Sequence, residues 1–216
     1  ASHELRTPLA VVRSGLESVE KCSNEEERNH FLHLMSEETV HMKRLIDDML
    51  LLANSDADTL TIKPEACQPD LLLLDTYEKF EPLAKKNGLH LILTLPEEIL
   101  PDCFCDIHRT EQIFSIIVDN ALCYTPSGGK VTLSCHAENE MLCFLFEDTG
   151  CGISEEKKSH IFERFYRADD AHTDREHFGL GLCIAKELTE KQNGNIQVVD
   201  APISGSCFMV QLPCAL

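Results

Sequence analysis

Ser2-His3-Glu4-Leu5-Arg6-Thr7-Pro8-Leu9 opens the chain, and an apolar spacing that begins inside it organises the first quarter of the sequence. Leu5, Leu9, Val12, Leu16 and Val19 recur at alternating intervals of four and three, the seam of a helix packed in a coiled-coil-like bundle. A polar break follows at Ser23-Asn24, where either side chain can cap a helix that starts with Glu25-Glu26-Glu27. Phe31, Met35, Met42, Leu45, Met49 and Leu52 continue a second pattern of the same kind, interrupted by Glu38. Two amphipathic helices cannot bury their stripes alone. The sequence therefore predicts a helical hairpin over 1–56 that dimerises into a four-helix bundle.

A polar stretch from Asn54 to Asp58 ends the hairpin, so 57–63 reads as a linker and 64–216 as a second domain. There the period changes. Helices are expected over Asp70–Asn87, from Asp106 to just before Pro126, and over Leu180–Gln192 with Gly194 as its left-handed C-terminal residue. Strands are expected over Leu89–Leu95, Val131–Ala137, Met141–Asp148, Ile196–Val199 and Cys207–Leu212, the middle two joined by a turn at Glu138-Asn139-Glu140. This mixture predicts an α+β two-layer sandwich, one helical layer on one mixed sheet.

Composition narrows the function. The 216 residues carry 19 basic and 37 acidic side chains, a net charge of −18, and the excess is spread over both regions. Such a surface repels phosphate backbones, which argues against nucleic-acid binding. An anionic ligand needs a local pocket and a metal cation. No apolar stretch approaches the roughly 18 residues of a membrane span, so no membrane contact is expected within these residues. Eleven cysteines at irregular spacings, with no C-x-x-C, suggest neither a disulfide framework nor a zinc ribbon. Cys103, Cys105 and His108 lie close enough for a metal site, but ordinary burial in a reducing compartment is the better reading.

His3 lies off the apolar seam, and a neutral imidazole nitrogen is a competent nucleophile towards a phosphoryl group. Glu4 is the nearest carboxylate able to hold the other ring N–H. Thr7 follows one helical turn later, where its hydroxyl can position a water, and Pro8 removes a backbone donor and loosens the helix. In the second domain, Gln112–Tyr124 sets Asn120 and Tyr124 four apart on an otherwise apolar helix, and the Asn carbonyl suits Mg²⁺. Asp148-Thr149-Gly150-Cys151-Gly152-Ile153 ends a strand on a carboxylate able to accept the adenine amine, with glycines admitting a ligand to the backbone. Gly179-Leu180-Gly181-Leu182 opens a helix and offers N–H groups to phosphates. Between them, Ile161–Arg167 and the charged stretch 168–177 read as a lid with Phe165 as aromatic latch and Arg164 and Arg167 as cationic contacts.

The order of these pieces resembles the kinase core of a sensor histidine kinase of two-component signalling. His3–Leu9 is similar to its phosphoacceptor box, Gln112–Tyr124 to its N box and Asp148–Ile153 to its first glycine box. Phe162–Arg167 is similar to its F box and Gly179–Leu182 to its second glycine box. The resemblance implies a homodimeric phosphotransfer hairpin followed by a Bergerat-type ATP-binding domain. It implies Mg²⁺-ATP-dependent phosphorylation of His3, assisted by Glu4, then transfer to an aspartate on a response regulator receiver domain. Thr7 would serve a phosphatase activity towards that regulator. Asn120 would ligate Mg²⁺, Tyr124 would line the nucleotide pocket, Asp148 would recognise adenine, Gly150 and Gly152 would shape the pocket, and 179–182 would cradle phosphates.

Three positions depart from that pattern. Ile116 and Cys123 stand where a polar residue and a lysine are usual, and Glu176-His177-Phe178 replaces further glycines before Gly179. Asp119 adjoins Asn120 but is turned about 100° around the helix, so it is not expected to be a ligand. The departures keep alive a rival reading, a degenerate scaffold whose pocket is structural. A chaperone- or topoisomerase-like ATPase is disfavoured, because it has no use for a histidine-bearing hairpin. With His3 so near the first residue, the chain reads as the cytoplasmic part of a longer, membrane-anchored protein.

Overall fold

A computed structural model describes residues 2–22, 24–167 and 178–215, with side chains described from Leu5 onward. Helix α1 (Ser2–Lys21) runs unbroken through Pro8, and α2 (Glu25–Asp56) folds back along it. Asn24 caps α2, its side-chain oxygen accepting the Glu26 N–H at 3.0 Å, as the polar break predicted. The seam differs from the expected one. Pro8 and Gly15 turn inward, and a Cβ on Gly15 would lie 2.6 Å from the Met35 side chain, so the helices cross closely there. Leu9 and Leu16 stay 57% and 54% exposed, as do Leu32, Ile46 and Leu50 of α2 to similar degrees. The apolar stripe is wider than one hairpin can cover.

Beyond the hairpin lies the two-layer sandwich. Strands β2 (His90–Thr94), β4 (Lys130–Glu138), β5 (Met141–Asp148), β7 (Ser206–Pro213) and β6 (Asn195–Asp200) form one sheet in the order β2-β4-β5-β7-β6. Only β2 and β4 pair in parallel. Helices α3 (Pro69–Lys86), α4 (Ile107–Tyr124) and α6 (Gly181–Glu190) make the second layer, with the short α5 (Glu155–Lys158) before the lid region. The β4–β5 hairpin closes on two residues, Asn139 and Glu140, with φ +50° and +62°, the left-handed pair that matches strand twist. Leu133, Cys135, Phe144 and Phe146 point inward from this hairpin, and Phe114 of α4 sits against Phe144 and Phe146 at ring separations of 4.8 and 5.0 Å.

Two short strands escape the sequence reading. β1 (Glu65–Cys67) and β3 (Cys103–Cys105) pair antiparallel as a separate ribbon. His108, considered beside Cys103 and Cys105 as a ligand, has a 93% exposed side chain on α4, near Glu111. The end of α6 is also corrected: Asn193, at φ +58°, is the left-handed residue, not Gly194. Gly194 is needed for another reason, since a Cβ there would lie 2.3 Å from the Gln211 carbonyl oxygen on β7. Gly194→Ala should therefore lower stability by about 1–3 kcal/mol through overpacking, read as a lower urea midpoint with unchanged slope.

Candidate nucleotide site

Helix α4 is fixed at its start by Asp106, which accepts the Arg109 N–H at 3.1 Å through Oδ1 and the linker Lys63 N–H at 2.9 Å through Oδ2. Its core face carries Ile113, Phe114, Ile117, Val118 and Ala121 into the sandwich. The adjoining face presents Ile116, Asp119, Asn120 and Tyr124 to a cavity of about 310 Å³. Asn120 donates through Nδ2 to the Ile116 carbonyl at 2.8 Å. With the amide's donor end so engaged, Oδ1 is the end left to serve a cation.

Asp148 closes β5 at the cavity wall, only 5% exposed. Burial pushes its carboxyl above the usual range, while backbone N–H groups of Gly150 and Ser206 pull it back. The Gly150 bond is 2.8 Å long. The opposing backbone presses close here: a Cβ on Gly205 (φ +90°) would lie 2.1 Å from the Asp148 carbonyl oxygen, so only glycine fits. Ile153, Ile161, Leu180, Leu182 and Phe208 add apolar wall, and α6 begins at the cavity with Gly181, with no acidic residue in its first turn. An oriented buried acceptor, apolar walls and a helix start form a site for a flat, hydrogen-bonding base joined to an anion.

The chain on either side of residues 168–177 is tied together. Phe165, itself at φ +63°, donates its N–H to the Gly179 carbonyl at 2.9 Å. Gly179 (φ +71°) packs so near that a Cβ would lie 2.7 Å from the Tyr166 carbonyl oxygen. The stretch 168–177, read above as the lid, lies outside the described residues.

Of the residues singled out in the sequence, Asn120, Tyr124, Asp148, Gly152, Ile153, Arg167, Gly179, Leu180, Gly181 and Leu182 line this one cavity. Gly150 stands behind it as the support of Asp148. Phe165 and Arg164 lie off it. Arg164 instead makes a bidentate pair with Asp56 at the end of α2, at 2.8 and 2.6 Å, which holds the Asp56 carboxyl below its usual range. Its guanidinium is therefore directed at the hairpin, not at a phosphate. His3 and Glu4 lie in α1 with their side chains outside the described residues, and Thr7 is exposed on that helix.

Asp119, expected to turn away, lines the cavity beside Asn120, and Ile116 touches the space above Gly181. Arg44 and Asp48 of α2 complete the lining and were missed, because nothing in a helical periodicity says which domain will dock against it. That docking rests on several contacts. Ser55 donates to Glu187 at 2.7 Å, Lys191 pairs with Asp58, and the His41 ring stacks on Phe178 with centroids 4.2 Å apart.

Residues 105–216 match the family described as histidine kinase-, DNA gyrase B- and HSP90-like ATPases, and residues 1–58 match the His Kinase A (phospho-acceptor) domain. The chain belongs to the sensor histidine kinase family. The adaptive-response sensory kinase SasA of Rippkaea orientalis is 31% identical over 220 residues, which cover 98% of this kinase core and 56% of SasA. Sensor protein SrrB of Staphylococcus aureus is 32% identical over 217 residues, 98% of this core and 36% of SrrB. The core thus spans about half or less of these relatives. Full-length ShkA in complex with AMPPNP superposes with a TM-score of 0.76 at 27% identity, over 99% of this chain and 44% of that one. ThkA in complex with the response regulator TrrA does so at 0.78 and 19%, over 99% and 60%, and supports the fold alone.

Two outcomes follow for the kinase core. Asp56→Arg should release the catalytic half from α2, seen as faster hydrogen exchange around residues 160–166, and Asp56→Arg with Arg164→Asp should restore protection. Asp48 sits beside Asp47 on the cavity, and burial first, then Asp47, raise its carboxyl to about 6 against the pull of Arg44. Its folded pKa exceeds the unfolded value of 3.8, so its contribution to stability is full below that value and lost as pH rises through about 6. Asp48→Asn should therefore be the more stable protein near about pH 8, by on the order of 1 kcal/mol after solvent screening, and equal to wild type near about pH 4 in urea titrations.

Proposed function

We propose that this kinase core binds Mg²⁺-ATP in the cavity between α4, β5 and α6, phosphorylates its own His3, and passes the group to an aspartate of a response regulator receiver domain. The observation that carries the proposal is the convergence of Asp148, Asn120 and the start of α6 on one cavity that also borders α2. The buried carboxylate of Asp148 is placed to accept from the exocyclic amine of adenine, and the walls around it exclude water from the base. Tyr124, Gly152 and Ile153 would border the nucleotide. N–H groups at 179–182 and the Arg167 guanidinium would take phosphate oxygens.

The donor set suits a hard cation: Asn120 Oδ1, with Asp119 on the same wall, offers oxygen ligands beside the phosphate end of the cavity. Bound Mg²⁺ would neutralise charge that develops on the transferred phosphoryl group. A nitrogen of the neutral His3 ring forms the bond to the γ-phosphorus as the bond to the ADP oxygen breaks, and the other ring N–H is held by Glu4. Thr7, exposed one turn on, would position water for regulator dephosphorylation.

The half-exposed leucines of the hairpin support a homodimer in which two copies close a four-helix bundle. We assign 1–56 to dimerisation and phosphotransfer, 57–63 to the linker and 64–216 to nucleotide binding. The ShkA–AMPPNP complex supports a nucleotide as ligand, and the His Kinase A match over residues 1–58 supports a response regulator as partner. No described helix is long and apolar enough to cross a membrane. None of the eleven cysteines is in a disulfide, which suits a reducing cytoplasm.

The rival scaffold reading rests on Ile116 and Cys123. Protein carrying γ-labelled phosphate after incubation with Mg²⁺-ATP, and none in His3→Ala, is the expected result. Asn120→Ala and Asp148→Ala should lower labelling at least about tenfold by weakening metal and nucleotide binding. Labelling that persists in His3→Ala overturns His3 as the acceptor, and wild type that binds no nucleotide and takes no label favours the scaffold.

A further inference from the structure

The β1–β3 ribbon gathers three sulfurs that the nucleotide site does not use. Cys103 and Cys105, two apart on β3, point to the same side and are fully buried, while Cys67 on β1 is the register partner of Cys103 and is half-buried. The sulfurs of Cys67, Cys103 and Cys105 all lie within 4.8 Å of one another, and Cys67 Sγ to Cys105 Sγ is 3.3 Å. No fourth histidine, cysteine or carboxylate joins this group among the described residues.

Two uses compete for such a cluster. A disulfide employs two sulfurs and strands the third. Cys67 and Cys105, 3.3 Å apart at sulfur, sit diagonally across the ribbon, where Cα atoms are about 7–8 Å apart and beyond ordinary disulfide reach, and a bridge between the facing Cys67 and Cys103 would strand Cys105. A metal ion uses all three. Zinc in structural sites asks for four protein ligands, whereas a soft monovalent d¹⁰ ion is satisfied by a few thiolates. We propose that Cys67, Cys103 and Cys105 form a trigonal thiolate site for one soft d¹⁰ ion, with Cu(I) the best match. Coordination displaces thiol protons to solvent, so affinity rises with pH. The bound ion fastens the strand that leaves the linker to the strand that feeds α4.

The test is anaerobic titration of the reduced 216-residue chain with Cu(I) buffered by bicinchoninate. One equivalent should be taken from the chelator with thiolate-to-copper absorption in the ultraviolet. Alkylation of the folded chain, mapped by peptide mass, should lose the half-buried Cys67 on copper loading while the exposed Cys123 and Cys151 react equally with and without the ion. Cys67→Ser and Cys105→Ser should each weaken that equivalent at least about tenfold, and Cys22→Ser should not. Thermal melts of the metal-free variants separate lost binding from lost folding. If a variant does not fold, the wild-type alkylation map decides. Copper-dependent protection of Cys123 or Cys151 with none at Cys67, or full affinity in Cys67→Ser, overturns the site. Tighter retention of Zn²⁺ than of Cu(I) by the same three sulfurs overturns the choice of a three-coordinate soft ion.

Discussion

Phe114 packs its ring against both Phe144 and Phe146, and through that contact α4 acquires a fixed rotation on the sheet. A helix has only one rotational degree of freedom once its axis is laid down. Burying Ile113, Phe114, Ile117 and Ala121 therefore decides where Ile116, Asn120 and Tyr124 point. They fall on the margin between core and cavity. The same sheet places Asp148 at the end of β5, across from that margin, and the Gly205 backbone presses it into place from β7. Core packing and site geometry are thus a single constraint. Loss of volume at Phe114 would rotate the site as well as weaken the fold.

The charge balance constrains the site from outside. A chain with a net charge of −18 must meet a nucleotide's phosphates with local positive charge. Arg164, the nearest expected source, is taken up by Asp56. Among the described residues, Arg44 and Arg167 are the cations on the cavity wall, facing Asp48, Asp119 and Asp148. Backbone N–H groups, with the Mg²⁺ proposed above, would therefore carry most of the neutralisation. Arg44 belongs to α2, so the hairpin contributes directly to the field in which a nucleotide would sit.

Periodicity made the long elements legible. The α1 and α2 helices, the Asn24 and Asp106 caps and the β4–β5 hairpin follow from local spacing and turn chemistry, and the structure has them within a few residues, although α1 turns Pro8 and Gly15 inward and leaves Leu9 and Leu16 exposed. The motifs on α4, β5 and α6 were equally readable, because each carries its own chemistry in a short run. β1 and β3, at three residues each, are too short to show a period, so the juxtaposition of Cys67 with Cys103 and Cys105 left no trace in sequence. His108, weighed beside Cys103 and Cys105 and disfavoured as a ligand, stands exposed on α4, since proximity along the chain says nothing of shared direction. Arg164 shows a further limit. A guanidinium near a lid has two anionic suitors, a phosphate and a carboxylate, and only the docking of domains reveals which is in reach.

That docking also governs movement. The linker is held at both ends, by Lys191 on Asp58 and by Asp106 on the Lys63 N–H. Its middle is short, yet the seven residues 57–63 would reach about 25 Å if extended. Separation of the catalytic half from α2 is therefore not limited by chain length. It is limited by the burial of Leu45, Leu51 and Leu52 of α2 in the same apolar cluster as the sandwich core, and by Arg164–Asp56, Ser55–Glu187 and the His41–Phe178 stack. Phe178 lies directly beside Gly179, whose carbonyl holds the Phe165 N–H, so the stack on His41 connects the ends of the lid stretch to the hairpin. Breaking the dock would therefore free the catalytic half and the ends of that stretch together.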